Sequence, residues 1–207
     1  MNLPTASNLP RVMKCPASQV LPQSPDVTSR AASEGHARHK RIADVLTGRA
    51  PKDSIPWPVH EILGIEDGDT VAVERAWRLH VSTGRVEWLG DELDRAYPPH
   101  VVPEYEIDGT ADAVVYKADG TRVLADWKGR GGADAVRANW QLRTLALMAV
   151  ADIVAVVPLD GDEYGIDATE LSANDHAATE ATLRDLPRRL VAIDERRALG
   201  PLGRGNV

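Results

Sequence analysis

The chain has 207 residues, 43% of them hydrophobic and 27% charged, and carries a net charge of −7. That is the composition of an ordinary globular domain; it argues against a general nucleic-acid coat while leaving room for a local basic groove. One cysteine, Cys15, excludes an intrachain disulfide, a Cys-rich zinc site and a four-Cys iron–sulfur cluster.

The first stretch, "MNLPTASNLPRVMKCPAS", is broken by prolines and charges and has no signal-like apolar segment. No apolar run approaches the roughly 20 residues of a membrane span, so a cytoplasmic protein with no membrane partner is expected. Residues 7–20 suggest a short helix capped by Ser7 and stopping near Cys15-Pro16. Residues 21–29, "LPQSPDVTS", read as a loop. "SEGHARHKRIADVLTG" reads as a helix to about Leu46 with Gly48 as its stop, and "APKDSIPWP" as another loop. Segments 69–83 and 90–97 read as further helices, giving a mainly helical part over residues 1–100.

From about residue 101 the pattern turns β-rich. "VVPEYEI", "TADAVVY" and "RVLADWK", with the Asp-Gly turn of "KADGT", predict an antiparallel meander. A helix over Ala133–Ala149, the apolar strand "DIVAVVPL" and a strand at "EYGID" follow. A C-terminal helix is expected within 171–197, with its amphipathic pattern starting at 173, and a flexible tail over 198–207. The expectation is a single α/β domain, its mixed central sheet lying within 101–170 and flanked by helices.

Charges interrupt the β-rich part. Asp126 and Lys128 are two apart and share a strand face with Leu124, while Val123, Ala125 and Trp127 face the other way. Asp112 sits in the neighbouring apolar strand, so pairing of the two strands would bring two carboxylates together. Adjacent carboxylates repel unless they share a proton or a cation, and hard oxygen ligands favour Mg²⁺ or Mn²⁺. A lysine on the same face can orient or deprotonate a water. For an isolated Asp-x-Lys the plainer reading is an exposed ion pair. It is the wider constellation that favours a site: Gly109–Asp112, the Asp-Gly hairpin, Asp126–Lys128, the glycine-rich "GRGG" and a helix bearing Gln141.

That constellation, "GTADAVVYKADGTRVLADWKGRGG…NWQL", resembles the core of the PD-(D/E)XK nuclease superfamily in its RecB-like exonuclease branch. Upstream, Gly35 and His39 of "EGHARH" match the branch's Gly-x-x-x-His helix, and "SNLPRVMKCP" resembles its opening Ser-to-Cys-Pro segment. The resemblance spans about residues 5–165. It implies a restriction-endonuclease-like core and a Mg²⁺- or Mn²⁺-dependent deoxyribonuclease, of exonuclease type, working in recombination, repair or defence on a phage or mobile element. Asp112, Asp126, Lys128 and Gln141 would be catalytic. His39, Asp112, Asp126 and the main-chain carbonyl of Trp127 would hold the metal. Glu104 is a further candidate, ambiguous with Glu106 because the two would share a strand face.

The iron–sulfur members carry three more cysteines, so no cluster is expected and Cys15 is read as a core residue. Arg38, Lys40, Arg41 and Arg130 are candidate DNA contacts, and "GRGG" would let backbone amides approach a phosphate. His36 is read as a packing residue or DNA contact, and Trp127 and Trp140 as core. DNA is the expected partner, with a recombination or defence protein and a second copy of the chain as further ones. A nuclease-fold module that binds without cleaving is the alternative reading.

Overall fold

The computed structural model describes residues 3–20, 30–93, 95–128, 136–159 and 166–198. Among the described residues six strands form one sheet: β1 (Thr70–His80), β2 (Arg85–Asp91), β3 (Glu106–Tyr116), β4 (Arg122–Lys128), β5 (Ile153–Pro158) and β6 (Asp167–Glu170). Their order across the sheet is β2-β1-β3-β4-β5-β6. Only β4 and β5 run parallel; every other neighbouring pair is antiparallel. A parallel pair needs a crossover, and α5 (Trp140–Ala149) supplies it.

Helices cover both faces. On one lie α1 (Leu9–Lys14), α5 and α6 (Ala173–Ala198), whose Leu9, Leu142, Leu145, Leu183 and Leu186 pack on Ile107, Leu124 and Val154. On the other, α3 (Arg30–Leu46) lays Ile42, Ala43, Val45 and Leu46 against Val73, Val115, Val123 and Trp127. Trp57 and α4 (Val59–Ile62) close that second core, with the Trp57 indole N–H donating to the Leu159 carbonyl at 3.1 Å. Each buried Leu, Ile or Val contributes on the order of 1.5–3 kcal/mol, so the two cores fix α3 and α5 firmly over opposite faces of β3 and β4. Gly109 permits the close approach on the α5 side. A Cβ there would stand 2.7 Å from Leu145 Cδ2 and 2.8 Å from the Ala6 Cβ.

Several expectations are corrected. Residues 69–83 and 90–97 are not helices: β1 fills 70–80, β2 reaches only to Asp91, and the described residues from there to 97 are bend, turn or irregular, so the sheet begins at Thr70 and the first hundred residues are not mainly helical. Segment 70–80, "TVAVERAWRLH", carries helix-forming Glu, Arg, Ala and Leu. Its place between two strands overrides that propensity, with Trp77 and Leu79 buried on one face and Arg78 ion-paired on the other. Residues 101–105 are turn, and the strand begins at Glu106. Cys15 is exposed rather than core. Residues 17–20 form a second short helix, α2 (Ala17–Val20).

Other elements agree in part: Glu106–Tyr116 is one strand where two were expected, and the helix expected over Ala133–Ala149 starts at Trp140, after a 3-10 turn at Val136–Ala138 and the Asn139 cap. β4, the turn at 118–120, β5 and the end of α3 at Leu46, with Gly48 at φ +73°, fall where the pattern places them. The last strand is Asp167–Glu170, and the "EYG" of "EYGID" lies outside the described residues. The loop at 21–29, the "GRGG" stretch with Arg130, residues 133–135 and the tail from 199 also lie outside them.

Candidate active site

The site is built where the sheet stops being regular. β3 and β4 pair from Tyr116↔Arg122 to Ala113↔Ala125. One further step would set Asp112 opposite Asp126, and there the ladder ends. The Trp127 N–H, which would otherwise seek a main-chain acceptor, donates to Asp112 Oδ2 at 2.8 Å. In a strand the N–H and C=O of one residue point to the same side, so the Trp127 carbonyl is directed into the same opening.

The other flank of Asp112 is irregular as well. Glu74 lies between the pairs Val73↔Ala113 and Arg75↔Ala111, with φ at +45°. A left-handed conformation at a non-glycine residue costs on the order of 1 kcal/mol or more. Across this point the strands exchange faces: Ile107 and Ala111 join the α5 core, whereas Ala113 and Val115 join the α3 core. Asp112 is the residue at the exchange, and its side chain meets α3.

Helical spacing sets the α3 contribution. His39 lies three and four residues before Ile42 and Ala43, which are buried on the sheet, so it shares their face one turn nearer the opening. Its Nδ1 is 3.2 Å from Asp112 Oδ1. Burial pulls the imidazole pKa down. The hydrogen bond and charge of Asp112, with the charge of Asp126, together outweigh that and leave it above an ordinary histidine.

Asp126 is only 4% exposed. Lys128 Nζ hydrogen-bonds its Oδ1 at 3.1 Å and lies 2.8 Å from Oδ2. Lys128 thus ion-pairs both oxygens of Asp126, and Oδ2 has no other polar partner among the described residues. Burial first, and then the charge of Asp112, push the Asp126 carboxyl up to about 6, against the pull of Lys128 and His39. Four of the residues singled out in the sequence thus converge: His39, Asp112, Asp126 and Lys128, with Trp127 contributing its backbone. Among the described residues no three His, Cys, Asp or Glu side chains form a ready-made metal cage. The opening holds two acids, each in contact with a base.

Other candidates sit apart. Gln141 is half-buried in the first turn of α5, where its backbone N–H donates to the Asn139 side chain at 3.0 Å; among the described residues its own side chain makes no hydrogen bond to Lys128 or Asp126. Glu104 is exposed in the turn before β3 rather than on a strand face with Glu106. Glu106 is buried and accepts from the Val101 N–H at 2.9 Å. It is six residues from Asp112 along an extended strand, roughly 20 Å. On α3, Lys40 and Arg41 are exposed and Arg38 is half-buried. Lys40 and His36 line a cleft of about 420 Å³ with Arg49, Glu74 and Glu92, a mixed-charge surface rather than a purely basic one. Trp127 is core as expected, whereas Trp140 is half-buried beneath Arg143. Sequence reasoning missed Glu74, because no local pattern marks a left-handed glutamate.

No family model and no curated protein matches the chain. Among solved structures, one described as "Crystal structure of SSO0001" is similar over 98% of this chain and 78% of that one, with 16% identity and a TM-score of 0.48. No helix among the described residues is long and apolar enough to cross a membrane.

Proposed function

We propose that the chain is a divalent-metal-dependent deoxyribonuclease with a PD-(D/E)XK-type core. The observation that carries this reading is the break in the β3–β4 ladder, which gathers Asp112, Asp126, Lys128 and His39. A surface ion pair needs no such opening, and a buried carboxylate pushed to about 6 is costly to keep without a use.

The donors fit a hard cation. Asp126 Oδ2 is buried with Lys128 as its one polar neighbour among the described residues, and two repelling carboxylates, an imidazole and the Trp127 carbonyl border one opening. Asp112, Asp126, the Trp127 carbonyl and His39 would hold Mg²⁺ or Mn²⁺. When bound, such an ion supplies positive charge to the scissile phosphate and acidifies water.

The chain's own residues do the rest. Lys128, tethered to Asp126, orients the attacking water and donates to a phosphate oxygen. Asp112 holds the Trp127 N–H and the His39 ring, which fixes the position of both. His39 binds a cation only as neutral imidazole, so its raised pKa sets a proton in competition with metal. Exposed Lys40 and Arg41 on α3 supply phosphate contacts beside the opening.

One observation favours the non-cleaving alternative: each acid already contacts a base, so a cation must displace or share those contacts. Cleavage of labelled linear and circular DNA separates the two readings. Products with Mg²⁺ or Mn²⁺, none with EDTA, and binding without cleavage in Ca²⁺, a weaker Lewis acid with longer ligand distances, are expected. Tight binding with no product under any metal would refute the nuclease and leave the binding module.

A further inference from the structure

A second cluster of cations lies on the far side of α5, outside the site just described. Arg143 stands over the Trp140 ring with its guanidinium carbon 4.2 Å from the centroid. Its Nε–H donates to Thr179 Oγ1 at 3.1 Å. Thr179 is 2% exposed, and its own proton goes to the Asp175 carbonyl at 2.8 Å. Arg143 is therefore aimed by a ring and a neutral hydroxyl, and among the described residues no carboxylate ion-pairs with it.

The nearest carboxylate is already engaged. Asp175 Oδ1 takes Arg137 Nη1 at 3.0 Å, and Oδ2 takes the Ser172 N–H at 2.8 Å and its hydroxyl at 2.7 Å. His176 Nε2 faces the Ala151 carbonyl at 2.9 Å, so that nitrogen carries the proton. Leu171 completes the walls of a cavity of about 150 Å³. Two arginines against one saturated carboxylate leave a surplus positive charge. Asp175 attracts Arg143 by charge without a direct ion pair among the described residues, so the half-buried guanidinium keeps donors for a further anion. Burial pulls the Arg143 pKa down; the charge of Asp175 opposes this and that of Arg137 adds to it.

We propose that this cavity is a phosphoryl-binding site, with the Nη groups of Arg143 gripping two oxygens and Arg137 and His176 flanking them. It binds a backbone phosphate of a nucleic-acid strand that extends from the Asp112–Asp126 opening. The cavity sits toward the Arg122 end of β4, where His176 meets the Ala151 carbonyl and the Leu171 N–H donates to the Asp152 carbonyl, so the strand would run along α5 from the Asp126 end of β4 to the other. The phosphoryl chemistry stands on the cavity alone; its assignment to a strand rests on the nuclease reading.

Three measurements separate these parts. Inorganic phosphate is titrated into the protein at low salt while the Arg143 Nε–H and Trp140 indole N–H resonances are followed. Saturable shifts are expected in the wild type and in Asp126→Asn, and their loss in Arg143→Gln. No phosphate-dependent shift in a folded wild type overturns the site. Next, a fluorescent single strand of about 12 nucleotides and a mononucleotide are compared by anisotropy in Ca²⁺. Arg143→Gln and Arg137→Ala are each expected to weaken the strand about tenfold and lower the salt slope by about one, with Arg143→Lys intermediate. Unchanged strand affinity in Arg143→Gln, alongside a real phosphate shift, overturns the strand assignment in favour of a free-phosphate site. Cleavage under Mn²⁺ is the third readout, and its absence with Arg143-dependent strand binding intact refutes the nuclease reading but supports this site.

Discussion

Replacing Asp126 with Asn tests the site through stability rather than turnover. The Asp126 carboxyl is pushed from 3.8 to about 6 in the folded chain, chiefly by burial. A raised carboxyl pKa means that folding favours the protonated form. The stability this brings is fully present below the unfolded value near 3.8 and is lost as pH rises through about 6. A shift of about two units corresponds to about 3 kcal/mol that the ionised side chain costs the native state at neutral pH. Asn keeps the shape and removes the charge, so the variant is expected to be more stable than the wild type at pH 8 in EDTA. For a chain of this size 3 kcal/mol is about 6–12 °C in Tm. Lys128 loses its counter-ion in the variant, and its 22% side-chain exposure lets water make up part of that loss. The advantage should grow between pH 4 and 6 and level off above about 7, read from melting curves followed by circular dichroism. Adding Mn²⁺ should reverse the order by stabilising only the wild type, because a ligand stabilises the state it binds. A variant no more stable than wild type at pH 8, or a difference independent of pH, would refute the view that Asp126 is a buried, strained carboxylate.

Asp112→Ala and Lys128→Ala should each drop cleavage below about a tenth of wild type while leaving the fold intact, with non-additive loss in the double variant; end-labelled DNA assays decide it. His39→Ala should weaken Mn²⁺ binding about tenfold by calorimetry, and wild-type affinity should fall with pH from above the ordinary histidine value near 6.5, because protonated imidazole cannot ligate. Gly109→Ala should cost on the order of 1–3 kcal/mol in urea unfolding, since its Cβ meets Leu145 and Ala6 below 3 Å. Arg78→Met should cost about 3 kcal/mol, because Asp108, 1% exposed and bound to both Arg78 Nε at 2.7 Å and Nη2 at 2.9 Å, keeps only His100 Nε2 at 2.8 Å as a partner in the interior.

Legibility along the chain followed the strength of local signals. β4 was readable because Val123, Leu124, Ala125 and Trp127 form an apolar run after an Asp-Gly turn, and the same run made Asp126 and Lys128 conspicuous. α3 was readable from its cap-to-glycine span. β1 was not: Glu74, Arg75, Ala76, Arg78 and Leu79 satisfy a helical pattern locally, and their fate is decided by partners in β2 and β3, as far off as Ala111 for Arg75. The turn at 101–105, which moves Glu104 off the strand, depends on the Glu106 carboxylate accepting from the Val101 N–H, a contact no propensity encodes.

The convergence of Asp112 with Asp126 was legible only as a condition, that the two strands pair. What the sequence could not express is that they pair and then stop. A continuous ladder would have spent the Trp127 N–H on a backbone carbonyl and set two carboxylates side by side with nothing between them. Ending the ladder at Ala113↔Ala125 gives the N–H to Asp112 Oδ2 and turns Oδ1 toward His39. Both oxygens of Asp126 are left to Lys128 alone among the described residues. The left-handed Glu74 on the opposite flank lets β1 follow the same exchange of faces. Two irregularities, each unfavourable alone, are held in place by the apolar cores above and below. Strain kept at one spot by a rigid surround is the physical reason to look for the chemistry there.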